Sequence, residues 1–391
     1  MMRQQNSEKL FHIAEEVFPE KPGGSSVQMD DCVVRRAKGA YFWDQDGHQF
    51  TDYWLSGGDL ILGHADRNTV LSAKKHAERG LHFGALSRAQ VDLAQYLLNA
   101  MPLAQKINFA NSGGDAVRQA VRLARRATGR NTAIVAEGGC CSGCHISQEN
   151  RIDLRCYDGQ ALQDCFLRYG HDIACIVIPP VAVAGGVRTA SREYLEIARK
   201  LTRDHSAVLI SDEVVSAFRA GPGSPLMFDV VPDIRCWGGI IGGGFPLGVY
   251  GGRSDLFALE ERGYCSPVVL RAGMAALRRL HEGVYAKLNR TAEHFVRQVN
   301  FFFEQETIPY RLTQYYSILK FVRWDYEKSK AAGPFDREEY RVLRHFLYER
   351  GLYFPVHEDS VFFLSAAHSK RDVEKLFSKF KDFFFRKKRG E

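Results

Sequence analysis

A chain of 391 residues, 45% hydrophobic and 25% charged with a formal net charge of +7, has length for one large domain and a smaller one. No apolar run nears the ~20 residues that span a bilayer, and Met1–Leu10 lacks the basic-then-apolar layout of a secretory signal. No membrane contact is therefore expected, and a cytoplasmic location is. Nine cysteines, an odd number in a chain too large to need staples, point to free thiols rather than a disulfide framework.

In chain order, Ser7–Phe18 carries apolar residues at helical spacing and is followed by a Pro/Gly/Ser break at Pro22–Ser26. Gly39–Tyr53 alternates about Asp46-Gly47, a two-residue turn signal, and predicts a β-hairpin. Short apolar strands such as Thr132–Ala136, Ile173–Ile178 and Ala207–Ser211 then alternate with amphipathic helices. That pattern predicts an α/β fold with a mainly parallel sheet covered on both faces. Gly273–Phe303 predicts one long helix. Strands at 317–323 and 361–365 and helices at 337–350 and 370–384 complete a smaller α+β domain. The basic run Arg386–Arg389 reads as a solvated tail after the last helix, and a nucleic-acid contact is not expected. The expected division is 1–64, an N-terminal segment and hairpin belonging to the smaller domain; 65–272, the large α/β domain; and 273–391, a linking helix and the rest of the smaller domain.

Several segments carry chemistry of their own. Ser112-Gly113-Gly114 lies directly before a helix with Asp115 in its first turn, so free N–H groups and the helix dipole form a phosphate cradle. The same Gly-Gly also permits a tight strand-to-helix turn. Asp212 follows a buried strand at its carboxyl end, where open α/β sheets bind ligands; a carboxylate there pairs with a protonated ring nitrogen or caps the next segment. Ile241–Pro246, with three consecutive glycines, bends sharply and allows close approach to a ligand, or is only a structural loop. Cys140, Cys141, Cys144 and His145 have the spacing of soft-metal ligands, but no second Cys-x-x-Cys accompanies them. Small apolar filling is the favoured reading of that run, and no metal is assigned.

Several further segments carry a family likeness. These are Tyr41–Tyr53, Leu60–His64, Phe109–Ala116, Ser211–Arg219, Pro232–Gly252, Glu349–Pro355 and Phe363–Ser369. In this order and spacing the chain resembles the class III aminotransferases, which depend on pyridoxal phosphate (PLP), and within them the glutamate-1-semialdehyde aminomutase branch. The resemblance implies a fold-type I architecture with a seven-stranded-type sheet, and a homodimer with its pocket at the subunit interface. It also implies cofactor contacts from Ser112, Gly113, Gly114, Cys140, Asp212 and Val214. A small amino or keto compound is the implied substrate class.

By the same resemblance, Gly239 stands where the family carries the lysine that forms the Schiff base, and no lysine occurs between Lys200 and Lys287. Other departures gather around it. Cys140 and Cys141 replace the stacking aromatic and the histidine after it. Gly113-Gly114 lacks the phosphate-loop hydroxyl, Pro179-Pro180 replaces Glu-Pro, and Glu261–Pro267 is a shortened loop without threonine. Cys236 and Cys265 lie near the cysteine run in the same scheme. Lysine carries the proton between substrate and cofactor, and glycine has no group to do so.

Ordinary transamination is therefore not expected. PLP or pyridoxamine phosphate (PMP), if bound, is held non-covalently and supports only lysine-independent chemistry. The alternative is a pseudoenzyme dimer kept as a binding or regulatory partner. Candidate stand-ins for the lysine are His64, His145, His357, Lys38 and Lys320. Arg36 and Arg219 are candidates to receive a carboxylate, with surface or cap roles equally open.

Overall fold

The computed structural model describes residues 5–18, 32–101, 103–139, 146, 148–223, 230–258, 260–357 and 359–389. In chain order the strands are β1 (Val34–Lys38), β2 (Tyr41–Asp44), β3 (Gln49–Asp52), β4 (Lys106–Ala110), β5 (Thr132–Ala136), β6 (Arg151–Leu154) and β7 (Ile173–Ile178). There follow β8 (Val181–Ala182), β9 (Arg188–Thr189), β10 (Val208–Asp212), β11 (Ile234–Gly238) and β12 (Gly248–Gly252). The last five are β13 (Tyr310–Tyr315), β14 (Ile318–Asp325), β15 (Lys330–Pro334), β16 (Leu352–Tyr353) and β17 (Phe362–Phe363).

The central sheet has seven strands in the order β4-β12-β11-β10-β7-β5-β6. Only β12 runs antiparallel to its neighbours. This is the fold-type I α/β arrangement. All six residues of β7 are buried, as expected of a strand covered on both faces. Alternate side chains go to opposite layers. Val135, Val177 and Ile210 meet Ala116, Val117, Ala120 and Ala124 of the helix Gly113–Thr128. Ile134, Ile176 and Leu209 meet Leu162 and Phe166 of one helix (Gly159–Tyr169) and Tyr194 and Ala198 of another (Arg192–Asp204).

The hairpin expected about Asp46-Gly47 is present as β2 and β3, with Gly47 in left-handed backbone at φ 89°. Its sheet also includes β16, which runs parallel to β3. Tyr41 Oη donates to Asp372 Oδ1 (2.7 Å) and Tyr53 Oη to the Asp372 carbonyl (3.0 Å), tying this sheet to the C-terminal helix. His368 stacks on Tyr53 with ring centroids 4.9 Å apart and accepts from the Ser365 N–H at 3.0 Å. Complete burial pulls the imidazole down to a pKa of about 4, against the pull of Asp372 and Asp52.

Two local expectations need correction. The stretch predicted as one helix from Gly273 is two, Pro267–Leu277 and Glu282–Gln305, with the break at Arg278–His281. Apolar spacing continues across that break, so periodicity alone conceals it. The basic run is not a tail either. The last helix extends from Lys370 to Arg389, and Lys387 and Lys388 pair with Glu339 (2.6 Å) and Glu306 (2.7 Å). Basic side chains in a last helical turn also complement the helix dipole.

Candidate functional site

Ser112 leaves β4 in extended backbone and caps the helix Gly113–Thr128, its Oγ accepting from the Asp115 N–H at 3.1 Å. Asp115 accepts in turn from the Asn111 N–H (3.0 Å) and from Arg118 (2.6 Å). Burial opposes charge on this carboxyl, but those bonds outweigh it and hold its pKa below the ordinary range. No acceptor among the described residues meets the N–H groups of Gly113 or Gly114. They remain available to an anion at the helix start.

Glycine at 113 is a packing requirement. A β-carbon there would lie 2.2 Å from Val214 Cγ1, and one on Gly238 would lie 2.3 Å from the Gly113 Cα. The helix start, the segment after β10 and the end of β11 thus meet in direct contact. Asp212 ends β10, buried, with Oδ1 accepting from the Val214 N–H at 3.2 Å. Its Oδ2 is 2.5 Å from where a β-carbon on Gly139 would stand. Ser112–Gly114, Asp212, Val214, Gly139 and Gly238 are thereby gathered at the carboxyl end of β10, the usual ligand position in an open α/β sheet.

Glu213, the next residue, is buried in a separate ion-pair network. Arg235 Nε and Nη2 reach its two oxygens at 2.8 and 2.7 Å, Trp237 Nε1 donates at 2.8 Å, and Ser211 Oγ donates at 2.8 Å. A bidentate arginine pair with extra donors fixes β10 against β11 directly beneath Asp212.

Gly239 follows β11 at φ 58°, the left-handed region that favours glycine, and is fully buried. Asp59 lies against it: a β-carbon on Gly239 would stand 1.9 Å from Asp59 Oδ1 and 2.6 Å from its Cγ. Asp59 is delivered by four successive left-handed residues, Leu55 (φ 52°), Ser56 (56°), Gly57 (72°) and Gly58 (88°). Non-glycine residues in that region persist only when their surroundings hold them. Here Asp52 Oδ1 accepts from the Trp54 and Leu55 N–H groups (2.8 and 2.9 Å), and Arg219 Nη2 donates to the Gly58 carbonyl at 2.5 Å.

The Asp59 carboxylate itself has no hydrogen-bond donor among the described residues. Burial pushes its pKa up to about 6, with Arg219 acting against that shift from beyond ion-pair distance. Neither Asp59 nor Glu213 stands out as a site residue by sequence reasoning. The available signal for Asp59 was Gly57-Gly58 immediately before an acid, between the hairpin and the Leu60–His64 turn.

The other candidates separate from this cluster. His64 Nε2 bonds Asp52 Oδ2 at 2.7 Å, under the loop that carries Asp59. His357 is exposed. Lys38 is exposed at the end of β1, and Arg36, also exposed, stacks 3.7 Å over the Trp43 ring. Lys320 is fully buried, but its Nζ donates to the carbonyls of Val183 and Asp359 at 2.5 Å each and pairs with Asp359 Oδ1. Arg219 is buried, with Nε on the Val215 carbonyl (3.2 Å) and Nη1 on Ser317 Oγ (3.3 Å), so it braces the loops. Cys236 points into the core, its Sγ 3.8 Å from the Ala116 carbonyl, and Cys265 packs against apolar side chains. Cys140, Cys141, Cys144 and His145 lie outside the described residues. Among the described residues no group of three His, Cys, Asp or Glu side chains is arranged to hold a metal, and no helix is long and apolar enough to cross a membrane.

Comparison with known proteins matches a family model described as aminotransferase class-III to residues 24–148 and 144–263. The chain is 30% identical to glutamate-1-semialdehyde 2,1-aminomutase of Sulfurihydrogenibium sp. (strain YO3AOP1), over 97% of this chain and 98% of that protein. It is 32% identical to the protein of that name from Sulfurihydrogenibium azorense, over 92% of each. Among solved structures, an omega-transaminase from Sphaerobacter thermophilus superposes with a TM-score of 0.87 at 23% identity, covering 96% of both chains. A lysine-to-alanine variant of a glutamate-1-semialdehyde-aminomutase from Pseudomonas aeruginosa PAO1, in complex with PMP, superposes with a TM-score of 0.83 at 19% identity, covering 97% of this chain and 94% of that one.

Proposed function

The chain belongs to the class-III aminotransferase family, and from that membership we propose that it binds PLP or PMP non-covalently and does not carry out ordinary transamination. In this reading Gly239 takes the position of the family's lysine. The observation that carries it is the Asp59 carboxylate in the space a side chain from 239 would need. That a lysine-to-alanine variant of a similar fold is found in complex with PMP supports this reading.

The residues present fit the two ends of such a cofactor. The acceptor-free N–H groups of Gly113 and Gly114, with the Ser112 hydroxyl, suit a phosphate at the helix start. The buried Asp212 carboxylate suits a protonated ring nitrogen, and Val214 offers an apolar wall beside the cradle. Bound PLP or PMP supplies an electron sink. In this reading Asp212 keeps the ring nitrogen protonated, Gly113 and Gly114 fix the phosphate, and no amine at 239 moves a proton. A small amino or keto compound is the proposed substrate class, and a homodimer the proposed assembly.

An absorbance spectrum of the purified protein with added PLP or PMP, taken before and after borohydride, tests the reading. A dialysable band that borohydride does not fix to the protein is expected. A borohydride-fixed adduct mapped to Lys38 or Lys320 overturns it. Absence of any band overturns it in favour of a cofactor-free binding or regulatory dimer.

A further inference from the structure

We propose that Asp59 is the specificity-determining residue of the cofactor site: its carboxylate supplies an anion beside position 239 that pairs with a primary ammonium, so the site selects PMP over PLP. This rests on the reading of Gly239 given above. The argument begins with occupancy. Asp59 Oδ1 lies 1.9 Å from the point where a β-carbon at 239 would sit, so the carboxylate takes the volume into which a side chain there would extend. Where a lysine would bring a primary amine to the cofactor's reactive end, this chain brings a carboxylate.

The carboxylate is also without a protein donor: none among the described residues reaches it, and Arg219, the cation nearest in effect, commits its own N–H groups to Gly58, Val215 and Ser317. A partly buried acid without a donor favours a ligand that supplies charged N–H groups, because charge-assisted bonds are the stronger kind. The aminomethyl group of PMP is such a donor at neutral pH, as primary amines are protonated there. The aldehyde of PLP offers no donor and presents a carbonyl oxygen to a carboxylate. The anchoring of the loop at Asp52 and Arg219 holds Asp59 in place before any ligand arrives, so the preference is built in rather than induced.

The test is an equilibrium titration of the dialysed full-length protein with three probes: PMP, PLP and 4′-deoxypyridoxine phosphate, which carries a methyl group in place of the aminomethyl group. Borohydride controls account for PLP on surface lysines. The wild-type protein is expected to bind PMP roughly tenfold or more tightly than either other probe, the equivalent of one charge-assisted bond. Asp59→Asn, which keeps the shape and loses the charge, is expected to bring the three affinities within about threefold of one another while leaving that for deoxypyridoxine phosphate unchanged. Equal wild-type affinities, or a preference that survives in Asp59→Asn, overturn the assignment of Asp59 while the cofactor reading stands. Failure of all three probes to bind overturns both. Should that variant fold poorly, Asp59→Ser, which also removes the charge, gives the same comparison.

Discussion

Gly113 and Gly238 pack backbone against backbone, and Val214 closes over both: its Cγ1 would lie 2.2 Å from a β-carbon on the first and 3.1 Å from one on the second. The start of one helix and the end of one strand are therefore held in register by the absence of side chains.

Gly113→Ala is expected to destabilise the protein by about 1–3 kcal/mol, the usual range for overpacking a filled contact. Val214→Ala in the same chain removes the opposing methyl groups and is expected to recover part of that loss. A double-mutant cycle by urea denaturation measures the coupling, which additive effects would contradict.

Gly239→Lys is expected to destabilise rather than restore the family's chemistry. A left-handed φ and the Asp59 carboxylate both oppose a side chain there, and together they cost about 2–4 kcal/mol. Combining it with Asp59→Gly is expected to recover at least a third of the loss. Denaturation midpoints of the single and double variants decide this.

Glu213→Ala leaves Arg235 buried without its carboxylate and the Trp237 N–H without an acceptor. Breaking such a pair costs about 3–5 kcal/mol, and loss of cooperative unfolding at ordinary temperature is the expected result. Glu213→Gln keeps part of the network and is expected to fall between the two. Thermal melts of the three proteins give the order.

Two titratable groups, His368 and Asp59, give opposite pH slopes. His368 is neutral in the fold, with a pKa of about 4 against an ordinary 6.5. The unfolded chain therefore binds the extra proton first, and stability falls as pH drops from about 6.5 through 4, by about 3–3.5 kcal/mol in all. Asp59 is raised to about 6 from 3.8, so the folded chain holds its proton longer and stability from this group falls as pH rises from about 4 through 6. Allowing for its partial exposure, Asp59→Asn is expected to stabilise the protein at pH 7 by about 1–2 kcal/mol. Melts across pH 4–8 of wild type, Asp59→Asn and His368→Asn separate the two, and parallel curves for all three would refute both assignments.

The scaffold was legible where a pattern has a physical cause confined to neighbours in sequence. Thr132–Ala136 and Ile173–Ile178 are strands with the predicted bounds because continuous apolar residues suit only a doubly covered strand of that length. Asp46-Gly47 forms the expected turn because glycine tolerates its left-handed φ. Of the candidate site, the sequence pointed to Ser112, Gly113, Asp212 and Val214, which lie together in the fold. Asp59 was not, because nothing in Ser56–Leu60 tells which residue the loop will face some 180 positions later. Glu213 was hidden for a related reason. Its partners Arg235 and Trp237 lie on the adjacent strand, and only the β10–β11 register joins them. The buried Lys320 likewise finds its partners in Val183 and Asp359, both distant in sequence.

The parallel pairing of β16 with β3 has a consequence for synthesis. Thr51 waits for Leu352, about 300 residues later, and at ordinary translation rates that delay is roughly 15–60 s. For that interval the nascent hairpin carries an open edge, and the seven-stranded sheet, whose last strand ends at Gly252, is complete about 100 residues before Leu352 is made. The N-terminal hairpin is thus the first β-structure made and among the last to be closed, which makes it the segment for which a ribosome-associated chaperone matters most.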